Sequence, residues 1–183
     1  MSEVVRSASH AGSWYSSNPR DLDRQLTKWL EQAGPRTGTA RAIISPHAGY
    51  SYCGETAAYG FKQIVPDEVD RVFILGPSHV AVLSGCALTT CTKYRTPIGD
   101  LMGMTAIETL NPKIFNEYLD KTENTICGRN PILVMLQAAE QFRQANNHTH
   151  NFRFLNYSQS NKVRSPSDSS VSYASGALFI HPN

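Results

Sequence analysis

Ala42-Ile43-Ile44-Ser45-Pro46-His47 and Val72-Phe73-Ile74-Leu75-Gly76-Pro77-Ser78-His79 share one design. Each is a short apolar run rich in β-branched or aromatic residues, closed by a proline and followed by a histidine. Runs of this kind read as buried strands. Between them, Thr56 to Ile64 has helical character. Strand, helix and strand over about 35 residues is the size of a crossover joining parallel neighbours. The expected class is therefore α/β, with a mostly parallel or mixed sheet and flanking helices.

The flanks extend this reading. Asn18 is a preferred N-cap, and Pro19 at the first helical position loses nothing by lacking its N–H. Leu22, Leu26, Trp29, Leu30 and Ala33 then recur at helical period until Gly34-Pro35 stops the helix. A third strand is predicted over Cys86 to Thr92. After it the alternation fails: Thr105 to Leu110 reads as helix, Asn111-Pro112 opens a second with Ile114, Phe115, Tyr118 and Leu119 inward, and Asn130-Pro131 opens a third. The third would turn Ile132, Met135, Leu136, Ala139 and Phe142 to one face. Phe152–Tyr157 and Val171–Ile180 read as closing strands around a polar loop, Ser158 to Ser170. The break starts near Asp100 to Met102.

Composition narrows the classes. A chain of 183 residues argues for a single domain, 1–183. Its 17 Lys+Arg against 15 Asp+Glu give a net charge of +2, too even to predict nucleic-acid binding. A hydrophobic content of 40% excludes wholesale disorder. No apolar run approaches the ~20 residues a bilayer needs, so no membrane insertion is expected. Met1 to Ser9 has no apolar export signal, and the four cysteines form no C-x-x-C pair, which points to reduced thiols in the cytoplasm.

Few side chains stand out for chemistry. His47 and His79 follow predicted strand ends, the edge where open α/β sheets bind ligands. Parallel neighbours lie ~4.8 Å apart, so the two imidazoles can meet over one site; solvent-facing imidazoles are the plain alternative. Cys127 precedes a predicted helix N-terminus beside Arg129, and both features favour the thiolate that ligates metals or attacks electrophiles; an inert buried thiol is its alternative. Trp14 and Tyr52 belong to two echoing segments, His10-Ala11-Gly12-Ser13-Trp14-Tyr15 and His47-Ala48-Gly49-Tyr50-Ser51-Tyr52. They can wall a pocket and stack on a ring, while Arg129 can pair with an anion. There is no G-x-G-x-x-G or Walker loop, no G-x-S-x-G and no H-E-x-x-H. With no evident carboxylate partner for the histidines, a 2-His-1-carboxylate iron triad cannot be assembled.

The blocks SHAGSWY (Ser9 to Tyr15), PHAGYSYCG (Pro46 to Gly54), FILGPSH (Phe73 to His79), YRTP (Tyr94 to Pro97), NTICGR (Asn124 to Arg129), FLNYSQS (Phe154 to Ser160) and DSSVSYASGAL (Asp168 to Leu178) run in order over nearly the whole chain. Together they resemble the Memo family, named for mediating ErbB2-driven cell motility. The resemblance implies a cytosolic α/β fold similar to class III non-haem iron extradiol dioxygenases. It also implies a vestigial active site that binds a phosphotyrosine-containing receptor tail, copper or iron binding with redox chemistry, and control of Rho and cytoskeletal regulators. On this resemblance His47, His79 and Cys127 match the metal-type ligands, and Trp14 and Tyr52 match the peptide-binding aromatics. Cysteine in place of a carboxylate speaks against extradiol ring cleavage.

Family members are longer, and the block after YRTP is absent: Asp100 runs through Leu101 directly into Met102-Gly103-Met104. The chain thus reads as a form with an internal deletion near 100–102, such as a splice variant, whose elements lose packing partners and expose apolar surface. Three functions follow as expectations: a phosphotyrosine-peptide signalling module, a copper- or iron-binding redox protein, or a poorly folded isoform without function.

Overall fold

The computed structural model describes residues 3–83, 87, 89–102, 126–162, 164–165 and 168–182. The chain divides into two compact units. The first comprises Met1–Val69, Cys91–Gly103 and Asn151–Ile180, and the second Asp70–Thr90, Met104–His150 and His181–Asn183.

In the first unit, strand β1 (Val5–Arg6) is followed by helix α1 (Pro19–Gln32), β2 (Ala40–Ile44) and helix α2 (Tyr50–Phe61). Asn18 caps α1 as expected, its side-chain oxygen accepting from the N–H groups of Arg20 at 2.9 Å and Asp21 at 3.2 Å. Leu22 and Ala33 are buried and Leu26, Trp29 and Leu30 half-buried, so the apolar stripe faces inward. Strand β3 (Lys93–Thr96) pairs in parallel with β1 and antiparallel with β4 (Gly99–Met102). The deletion point expected at 100–102 therefore lies inside a tight hairpin, with Arg95 opposite Asp100 and Lys93 opposite Met102.

The remaining strands are β5 (Thr149–Gln159) and β6 (Ser172–His181), which form a second sheet in the order β2-β6-β5. Ile43 stands opposite Ala177 and Ile44 opposite Gly176 in the antiparallel β2/β6 ladder. The core sits on this ladder: Ala40, Ala177 and Phe179 are buried, with Ile43 and Leu155 against them. Gly176 is required by close approach, since a Cβ there would stand 2.5 Å from the Phe152 ring. The class is α/β with one small mixed sheet and one sheet containing an antiparallel pair.

Several local expectations are corrected. Among the described residues, β2 pairs with the distant β6 in antiparallel register rather than with a parallel neighbour through a crossover. The run Val72–Leu75 carries no strand structure, and Ile74 is 83% exposed. Pairing requires a neighbouring strand, which local β-propensity cannot supply. Of the predicted strand Cys86–Thr92, Cys86 and Leu88 lie outside the described residues, and strand structure begins at Lys93. The helices predicted at Thr105–Leu110 and from Asn111 also lie outside the described residues. Helix α2 starts at Tyr50, earlier than the Thr56 expected.

In the second unit, helix α3 (Arg129–Asn146) follows Gly128, which stands at the N-cap in place of the predicted Asn130. Leu136 and Phe142 remain exposed, so the apolar stripe of this helix is only partly covered.

Candidate functional site

The site with the most structure around it lies wholly in the first unit, between α1, α2 and β5. Trp29 of α1 and Tyr50 of α2 meet edge-on with ring centroids 6.3 Å apart, and Tyr15 lies 5.4 Å from Tyr50. This approach of the two helices depends on Gly54, because a Cβ at that position would overlap the six-membered ring of Trp29. On the other side, Thr56 Oγ1 and Ser158 Oγ share a hydrogen bond of 2.6 Å that ties α2 to β5.

These elements enclose a cavity of about 310 Å³. Trp29, Tyr50 and Tyr52 give it aromatic walls, and Glu55, Thr56, Asn156 and Ser158 supply polar groups. The cavity is a partly open cleft whose lining is more polar than apolar, with the aromatic rings forming its apolar part. Burial pushes the Tyr50 phenol up from its ordinary pKa, with the nearby Tyr15 and Cys53 adding to the effect. The lining holds one carboxylate and no lysine or arginine, so it accepts an aryl group more readily than a bare anion.

The predicted residues distribute unevenly. Tyr52 is 63% exposed and lines the cavity mouth. Trp14 does not line it, but its carbonyl accepts from the Tyr50 N–H at 2.8 Å, which fastens the Ser13–Tyr15 turn to the start of α2. The Trp14 ring is 46% exposed and packs edge-on against His10 at 5.0 Å. His47 is exposed on the link from β2 to α2. His79 and Cys127 are likewise exposed and belong to the second unit, with Cys127 immediately before the α3 N-cap. Among the described residues, no group of three or more His, Cys, Asp or Glu is placed to hold a metal ion.

Cys53 is the buried thiol of the first unit. Its sulfur donates to the Ala48 carbonyl at 3.2 Å, and burial raises its pKa, which makes it structural rather than reactive. Sequence reasoning assigned Trp29 to packing alone and gave no role to Tyr50, Thr56, Asn156 or Ser158. The usable signal was the FLNYSQS block, whose Asn156-Tyr157-Ser158 contributes one wall. Among the described residues no helix is long and apolar enough to cross a membrane.

Comparison with known proteins places these features in a family. A family model described as Memo-like protein matches residues 6–103 and 100–177, two blocks that meet at the deletion point. The chain is 48% identical to "Protein memo-1 homolog" of Caenorhabditis elegans over 295 aligned positions, covering 99% of this chain and 84% of the relative. It is 35% identical to "Protein MEMO1" of Xenopus laevis over 293 positions, covering 97% of this chain and 98% of the relative. Identity to "Protein MEMO1" of Homo sapiens is 33% over 293 positions, with the same coverage of 97% and 98%. These alignments are far longer than the chain, so the relatives carry an internal segment that it lacks. The chain therefore belongs to the Memo family, in a form without the central segment.

Proposed function

We propose that this chain is a peptide-binding signalling module that receives the aromatic side chain of a phosphotyrosine-containing receptor tail at the Trp29–Tyr50–Tyr52 cavity, and passes the signal to regulators of the cytoskeleton and cell motility. The observation that carries the reading is the aromatic-walled cavity, whose size and polar rim suit one aryl side chain. Stacking between rings favours such a guest beyond the area it buries. The absence of any cation from the lining means the phosphate lies outside the cavity while the ring lies within. Tyr52 at the mouth contacts the guest directly, and Trp14 acts by holding the start of α2.

Fluorescence polarisation with a phosphotyrosine peptide and its unphosphorylated twin tests this. Tyr52→Ala is expected to weaken binding of the phosphopeptide about tenfold, near 1.4 kcal/mol. Equal binding by wild type and Tyr52→Ala would remove the cavity from the account.

A second reading rests on donor chemistry: two imidazoles and a thiolate, His47, His79 and Cys127, suit copper or iron. Metal analysis after gentle purification, repeated on Cys127→Ser, tests it. Stoichiometric metal that falls on substitution supports the reading, and no metal in either protein rejects it.

A further inference from the structure

The turn from α3 into β5 is Asn147-His148, and the strand opens with Thr149-His150. Asn147 adopts a left-handed φ of 50°, ends the helix and turns the chain into the strand. Asparagine tolerates this conformation at a helix C-terminus better than most residues. In extended chain, side chains two residues apart face the same way, about 7 Å apart. Here both imidazoles lie against one ring on the last turns of α3. The Phe142 centroid is 5.3 Å from that of His148, edge-on, and 6.2 Å from that of His150, stacked.

Nδ1 of His148 and Nε2 of His150 are both buried, and neither has a hydrogen-bond partner. Two imidazole nitrogens left unsatisfied on one face are unusual, because buried polar atoms normally find partners. Burial, then Arg143 and His148, hold the His150 imidazole below its ordinary pKa, with Glu140 opposing them. Glu140 is engaged elsewhere, accepting from Arg143 at 2.7 and 2.8 Å and from Gln144 at 2.7 Å.

We infer that His148 and His150 form a two-imidazole site for a divalent transition-metal ion of the nickel-to-zinc range, with water or an outside ligand completing the coordination. Paired imidazoles are the natural donors for these borderline ions. The site shares no residue with the His47, His79 and Cys127 set, and Phe142 is its platform.

Zn²⁺ is the probe, added to the untagged full chain with ¹⁵N-labelled histidine. The imidazole signals of His148 and His150 are expected to shift together and saturate at one equivalent, and Cys127→Ser is expected to leave this unchanged. By calorimetry His148→Ala and His150→Ala are each expected to weaken Zn²⁺ binding by about tenfold or more, since each removes half of the chelate. If either alanine variant fails to fold, His150→Gln, which keeps polarity and bulk, takes its place, and the wild-type spectra stand independently of any variant. Signals of His148 and His150 that stay unmoved, or shifts confined to His47 and His79, would overturn the inference.

Discussion

Ile43 and Ile74 sit in runs of nearly the same composition, each leading into a proline and a histidine, yet they end differently. Ile43 stands in β2 opposite Ala177, against a core that includes the buried Phe179. Ile74 is 83% exposed in a stretch without strand structure, with Val72, Val80 and Val82 exposed around it. The difference lies outside both runs. Strand formation needs a partner edge, and β6 provides one to β2 from the far end of the chain. Local sequence offers two strands, and the available neighbours accept one.

The comparison is broken most forcefully by truncating one residue from each region. Phe179→Ala is expected to cost about 3–5 kcal/mol of unfolding free energy, as for large-to-small changes in a core. Ile74→Ala is expected to change stability by no more than about 0.5 kcal/mol, as for an exposed site. Paired urea titrations decide it, and similar losses at the two sites would mean that the Val72–Leu75 run is buried after all.

Gly54→Ala sharpens the same contrast inside the packed region. The added methyl must displace Trp29, so a loss of about 1–3 kcal/mol is expected from overpacking. Reduced phosphopeptide binding should accompany it, because Trp29 is also a cavity wall. At the other extreme, Val72→Lys and Ile74→Lys together should leave the unfolding transition in place. They should lower light scattering from concentrated solutions, since charge within an exposed apolar run opposes association. Unchanged scattering would show that this run is not the adhesive surface.

Much of the first unit was legible from residues alone. Asn18-Pro19 and the stripe through Trp29 gave α1 because caps and period are local signals. The strands around Leu155 and Phe179 were likewise legible, since their apolar and aromatic content persists whatever partner is found. The register of β2 was not, because antiparallel pairing with β6 depends on chain far away in sequence. Helix α2 was placed too late, as its first turn, Tyr50-Ser51-Tyr52, carries aromatics and a serine without a side-chain cap. Of the residues that line the candidate cavity, Tyr52 was singled out from its motif. Tyr50, Trp29 and Ser158 were missed because a cavity wall and a core residue look alike in sequence. His148 and His150 drew no notice for a related reason: only the Asn147 turn folds them onto Phe142.

The smallest expected effect is a pH dependence in the second unit. Hydrogen bonds from Arg143 and then Gln144 hold the Glu140 carboxyl at about 2, below its usual value of 4.5. A depressed carboxylate pKa adds stability above the unfolded value, and this is lost as pH falls through the folded value. Helicity at 222 nm should therefore decline slightly between pH 4.5 and 2. Glu140→Gln should remove that part of the decline. Because the pair is fully exposed, solvent screening keeps the effect slight.

Amide hydrogen exchange on the intact 183-residue chain tests most directly the claim that one apolar run is paired and the other unpaired. The ladder-bonded amides of β2 and β6 are expected to exchange only through cooperative opening, far more slowly than those of Val72, Phe73, Ile74 and Leu75, which should exchange at nearly the rate of unfolded chain. Equal and strong protection in both runs, or its loss from both, would contradict the account.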